Sequence, residues 1–173
     1  MPVITDKQRA VIGKESTPRP VPDDVNMPMA RHWSEMVEDP NPIYFDEAYA
    51  RNTWLQGRFA PPSMLFTWAR RGPWPLGEDV GSLEGPLGQL ALEDCPLTIA
   101  VKAVHEYFQP LRYGDTLTFT MQISSVSDEK KTRLGIGHFV VTLDTCRNQF
   151  EQVVGTHSFT LFFYRLHDAE GES

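Results

Sequence analysis

Cysteine is scarce in this sequence: only Cys95 and Cys146 occur, far apart in the chain. Two such thiols form neither a disulfide framework nor a metal-ligand signature, and they suit a reducing, cytoplasmic setting. The five histidines include no pair spaced to share one helix face, so no metal site is expected. No apolar run approaches the roughly 20 residues needed to cross a bilayer. Residues 1–10 carry Asp6, Lys7 and Arg9 and lack the apolar stretch of a secretion signal. Basic charge is also short: 16 Lys and Arg stand against 23 Asp and Glu, for a net charge of −7. A surface of that sign repels phosphate backbones, so neither nucleic acid nor a membrane is an expected partner. There is no internal repeat and no low-complexity tract.

What is present suffices for one domain. The chain has 173 residues, 40% of them hydrophobic, enough to bury a core. Residues 1–173 read as a single unit, with an ordered core over about 12–165, an irregular insertion over 73–98 and an acidic tail over 166–173. The clearest signal lies in the second half. From Thr116 to Ile123, Leu117, Phe119, Met121 and Ile123 alternate with polar residues, the period of a half-buried strand. Residues 99–108, 134–144 and 152–164 read as three more strands. Tyr113-Gly114-Asp115 supplies a turn, and the polar stretches 128–131 and 147–149 supply hairpin tips. Short tips between long strands imply antiparallel pairing. The first half predicts three helices: one after the N-cap Asn26, a short one after Asp46, and an apolar one from Pro61-Pro62 through Arg71. An apolar helix ahead of four antiparallel strands predicts an α+β architecture in which a long antiparallel sheet wraps a central helix.

The stretch Asp39-Pro40-Asn41-Pro42-Ile43-Tyr44 carries the chemical signal. It resembles the Asp-x-Asn-Pro-(Ile/Leu)-His motif of the MaoC-like hotdog hydratases, and more narrowly their FAS1-like dehydratase branch. The downstream Gly57-Arg58-Phe59-Ala60-Pro61-Pro62-Ser63-Met64 is similar to the start of that family's central helix. His105-Glu106-Tyr107-Phe108-Gln109-Pro110-Leu111-Arg112-Tyr113-Gly114-Asp115 is similar to the strand and turn that follow. The likeness runs from about residue 12 to 164, and residues 25–33 are similar to the noncatalytic domain of steroid side-chain hydratases in this branch. The resemblance implies a hotdog fold, an acyl-CoA substrate with coenzyme A as its only cofactor-like part, and water addition to a 2-enoyl thioester by an Asp–His pair.

The chain departs from that pattern in two places. Tyr44 stands where the family has histidine, and a phenol with an ordinary pKa near 10 is a poor base at neutral pH. Pro61 and Pro62 lack N–H groups where donors to a thioester oxygen would start. Asp39 and Tyr44 remain the catalytic candidates, with a turn or cap role the plainer alternative for Asp39. Asn41, Tyr44, Trp74, His105, Gly137 and His138 are candidate substrate contacts. For His105 and His138 a packed position in a strand is the competing reading. Two glycines inside a strand, Gly135 and Gly137, signal a bulge or a close approach of backbone or ligand. Trp54 and Trp68 are weighed as channel walls against core packing. Arg70, Arg71 and Arg112 are the nearest approach to a CoA-phosphate cluster, although a solvated helix end explains the first two equally well. Three readings follow: a noncatalytic subunit completed by a second hotdog chain that supplies Asp and His, a self-sufficient hydratase or thioesterase using Asp39, and an acyl-thioester binding module. Any of them predicts at least a dimer, as a homodimer or with a different hotdog subunit, since a lone sheet would leave a hydrophobic edge open.

Overall fold

The computed structural model describes residues 4–69 and 85–167. Four α-helices are present among them: α1 (Asp6–Arg9), α2 (Met27–Val37), α3 (Glu47–Arg51) and α4 (Gly85–Leu90). Two 3-10 helices, Pro42–Tyr44 and Pro62–Thr67, lie between them. The strands are β1 (Arg19–Pro20), β2 (Leu97–Tyr107), β3 (Thr118–Val126), β4 (Lys130–Lys131), β5 (Ile136–Arg147) and β6 (Val153–Arg165). They form one antiparallel sheet in the order β1-β3-β5-β6-β2, with β4 paired to β5. The hotdog architecture expected from the sequence is the one observed.

Local chemistry sets the register. Between β5 and β6, the Asn148 side-chain oxygen accepts from the N–H groups of Phe150 and Gln152, both at 3.0 Å. That closes a tight turn and pins a long hairpin. Before β3, Gly114 takes φ 91° while Asp115 accepts from the Arg112 N–H at 2.8 Å. The left-handed backbone there favours glycine. At the start of α2, Asn26 accepts from the Met29 N–H at 2.9 Å, satisfying an otherwise orphan donor.

The concave face of the sheet is covered by the Pro62–Thr67 turn and by α2. Met64, Leu65 and Trp68 pack there with Leu117, Phe119, Cys146 and Val154, and Ala30 of α2 joins them. A second cluster joins α4 to the other end of the sheet through Leu90, Cys95, Ile123, Val140 and Phe163. Both cysteines are buried and free, and burial pushes the Cys146 thiol up to about 12. Thiols so held are poor nucleophiles.

Three expectations need correction. The apolar helix predicted over 61–71 is a 3-10 helix of six residues, Pro62–Thr67. Pro61 and Pro62 remove donors at its start, and the Thr67 hydroxyl donates to the Met64 carbonyl, so a side chain competes for helix acceptors. Of the segment 73–98, read as irregular, residues 73–84 lie outside the described residues, and 85–98 contain α4 and the start of β2. At Gly137 the close approach is made by the protein itself. A Cβ there would lie 1.9 Å from the Phe163 carbonyl oxygen of β6, so the strand pair leaves room only for hydrogen. Replacing Gly137 with Ala must displace β6 from β5, at a cost of about 3 kcal/mol. Urea denaturation is expected to show the midpoint falling accordingly; an unchanged midpoint would reopen the ligand-access reading.

Candidate functional site

Helix α2 ends at Glu38, whose left-handed backbone (φ 56°) turns the chain back so that its N–H meets the Ser34 and Glu35 carbonyls. The chain then enters a sequence of nested caps. Asp39 Oδ1 accepts from the Asn41 N–H at 3.2 Å, and Asn41 Oδ1 accepts from the Ile43 N–H at 3.1 Å. These bonds start the Pro42–Tyr44 turn, which delivers the Tyr44 ring into a buried slot. Phe45 and Phe59 meet that ring edge-on, at centroid distances of 6.0 and 5.5 Å. The motif therefore does a structural job before any chemical one. Asp39 and Asn41 act as caps of the turn, and Asp39 also stands beside the phenol.

The electrostatics of this corner disfavour a base. Burial raises the Tyr44 phenol above its ordinary pKa, and the neighbouring Asp39 carboxylate raises it further. Tyr44 thus stays protonated, a hydrogen-bond donor and not an acceptor of protons. Tyr113 closes the corner from the other side, its hydroxyl donating to the Tyr44 carbonyl at 3.1 Å. Sequence reasoning passed over Tyr113, although its place in a turn next to Gly114 gave a hint of a fixed geometry.

The donors expected for a thioester oxygen are reduced. The Ala60 N–H is taken by the Leu111 carbonyl at 2.8 Å, and the Met64 N–H by the Pro61 carbonyl at 3.1 Å. Pro61 and Pro62 have none. Between Ala60 and Met64 these bonds leave over the single N–H of Ser63.

The remaining candidates scatter. Arg112 donates to the carbonyls of Gly57 (2.8 Å), Arg58 (3.3 Å) and Leu55. The guanidinium fork is occupied in tying the 55–58 loop to the turn before β3, beside the Arg58–Glu47 ion pair at 2.7 Å. His138 is buried, its Nδ1 lying 2.9 Å from the Ser127 carbonyl, and it lines a separate cavity of about 260 Å³ with Cys95 and Arg165. Trp54 is 87% exposed and Trp68 is in the core. Trp74, Arg70 and Arg71 lie outside the described residues. His105 alone falls in a polar group on the concave face, stacked on His157 with ring centroids 4.5 Å apart. His157, which sequence reasoning treated as an ordinary sheet residue, lines a cavity of about 710 Å³. Among the described residues no group of three or more His, Cys, Asp or Glu side chains could hold a metal ion, and no helix is long and apolar enough to cross a membrane.

Alkaline titration tests how this corner is held. Burial lifts the Tyr113 phenol from an ordinary value near 10 to about 12. The folded state then keeps a proton that the unfolded chain loses, so this contribution is full below about pH 10 and is lost as pH rises toward 12. Denaturant midpoints measured across that window are expected to fall more steeply for the wild type than for Tyr113→Phe. Parallel curves would mean that the phenol is not so held.

Comparison with known proteins agrees with this geometry. Residues 10–157 match the family described as FAS1-like, dehydratase domain region. The chain is 38% identical over 154 residues to a "Probable enoyl-CoA hydratase alpha subunit" of Thermomonospora curvata, covering 86% of this chain and 47% of the relative. It is 33% identical over 145 residues to the "3-oxo-4,17-pregnadiene-20-carboxyl-CoA hydratase alpha subunit" of Mycobacterium tuberculosis, covering 79% of this chain and 45% of that one. The chain therefore spans about half the length of the curated relatives it matches. Among solved structures, a chain of the ChsH1-ChsH2 complex from Mycobacterium tuberculosis superposes with a TM-score of 0.83 at 24% identity, over 96% of this chain and 94% of that chain. The family match covers most of the chain and the sheet order agrees with the solved fold, and the chain belongs to the FAS1-like dehydratase family.

Proposed function

We propose that this chain is the noncatalytic subunit of a heteromeric MaoC-like 2-enoyl-CoA hydratase, shaping the acyl-CoA site while a second hotdog chain supplies the working Asp and His. The observation that carries this reading is Tyr44. Hydration of an enoyl thioester needs a base for water and donors for the enolate oxygen. Here the base position holds a buried phenol kept protonated beside Asp39, and the donor position holds two prolines.

The sheet edge supports a partner. Strand β2 runs for 11 residues, pairs among the described residues on one side only, with β6, and is exposed along its whole length. Ile99, Val101, Val104 and Tyr107 lie open on it. A long apolar edge of this kind is a template for another strand. The similar chain in the ChsH1-ChsH2 complex belongs to an assembly of two different proteins, and the curated relatives are named as alpha subunits. A hotdog chain with an intact Asp-x-Asn-Pro-x-His motif is the partner that fits.

Co-expression with such a chain, followed by size-exclusion chromatography and an assay of enoyl-CoA hydration, tests the proposal. The complex is expected to turn over and the isolated chain not to. Loss of a working acid or base costs roughly 10²–10⁴-fold, so the partner's motif histidine should show that loss. Asp39→Asn in this chain should stay well short of it. Full-rate hydration by the isolated chain, abolished by Asp39→Asn, would establish a self-sufficient enzyme instead. Ligand binding without turnover or partner would establish a binding module.

A further inference from the structure

Among the described residues, the most exposed large apolar side chain stands on a firmly tied loop. Trp54, in the turn that follows α3, is 87% exposed. Its neighbours are held on both sides. The Thr53 hydroxyl and N–H donate to the carbonyl of buried Ala50, at 2.7 and 3.2 Å, and the Gln56 N–H donates to the Thr53 carbonyl at 3.0 Å. Beyond Trp54, Arg112 gathers the carbonyls of Leu55, Gly57 and Arg58. An indole on a loose loop folds back against the protein to escape water. This one is fixed in water by the bonds around it, and the fold of the chain draws no burial from it.

Arg112 also fixes where Trp54 stands in the fold. It belongs to the segment that leaves β2 after Tyr107, and the neighbouring Leu111 carbonyl accepts from the Ala60 N–H at 2.8 Å. The Trp54 loop is therefore bound to the C-terminal end of the open edge, where Tyr107 and Phe108 are themselves exposed. Leu134, another exposed apolar residue, precedes β5 and belongs to the opposite end, since Ile136 pairs with Arg165 and Tyr164 with Leu97. A stable interface takes about 20–30 residues a side, whereas β2 has 11. Strand pairing alone leaves such an interface short, and Trp54 and Phe108 continue it past the end of the strand. Tryptophan is enriched among the residues that dominate binding energy, and a loop fixed in advance loses little freedom on binding.

We infer that Trp54 is the anchor of the contact with the second hotdog chain, seated with Phe108 in an apolar hollow of that chain beyond the strand that covers β2. The inference rests on the two-chain reading and adds to it the place, off the strand edge, where the affinity is concentrated. Backbone bonds along β2 are ones that any edge strand can offer. An indole needs a hollow of matching shape, so Trp54 selects among chains that could otherwise pair.

The test uses the two chains co-expressed and purified as a complex, with Kd measured by sedimentation over a dilution series. Trp54→Ala is expected to raise Kd about thirtyfold and Phe108→Ala about fivefold, the losses of a binding hot spot and of its neighbour. Leu134→Ala, at the other end of the sheet, should stay within about twofold of the wild type. Fluorescence supplies a second readout: indole emission should move to shorter wavelength on assembly, and Trp54→Phe should remove most of that shift. Far-ultraviolet circular dichroism of each variant should match the wild type, so that a weaker complex is not a lost fold. A wild-type Kd for Trp54→Ala, an equal loss for Leu134→Ala, or an emission shift that survives Trp54→Phe overturns the anchor while the two-chain complex stands. No complex between the wild-type chains overturns the two-chain reading, and the anchor with it.

Discussion

Everything in this molecule depends on how closely the Pro62–Thr67 turn presses on the sheet. Leu65 sits so near β6 that a Cβ on Gly155 would be 2.7 Å from its Cδ2 and 2.6 Å from the Glu106 carbonyl oxygen. Where a long helix would stand off from a sheet at side-chain distance, this compact turn lies against the backbone. It buries Met64, Leu65 and Trp68, and it aims Phe66 at the two histidines. Phe66, on the same turn, also lines the cavity of about 710 Å³, so one short segment both packs the core and bounds that space.

The corner at Asp39 and Tyr44 follows a different logic. The side chains of this motif act as caps and packing. Asp39 and Asn41 satisfy backbone donors, Tyr44 fills a slot between Phe45 and Phe59, and Tyr113 ties that slot to the turn before β3. Asp39 and Asn41 hold the backbone of the motif whatever stands at position 44. Arg112 completes the arrangement by gathering the carbonyls of the 55–58 loop.

The sheet was legible because alternation is a local property. Phe119, Met121 and Ile123 announce β3 by themselves, and Asn148 and Gly114 mark the turns. The length of the central helix was not legible, since its apolar residues fit a helical face as well as a 3-10 turn, and the Thr67 back-bond that shortens it is a side-chain effect. At the site, Tyr44 could be read directly from the motif. The row of His105, His157 and Asp144 could not. Its members come from three strands, and only the register between β5, β6 and β2 brings them together. Gly137 misled for a related reason: a glycine in a strand signals crowding without saying whether strand or ligand does the crowding.

The open edge of β2 has a consequence for the chain on its own. Lys102 and Glu106 sit on that edge among the apolar side chains. Each is a charge that an indiscriminate strand would have to desolvate, whereas a suitable one can answer it with the opposite sign. On the proposed two-chain reading, a chain left unmatched keeps an apolar ribbon in water, and mass action ties its standing amount to the supply of the strand that covers β2.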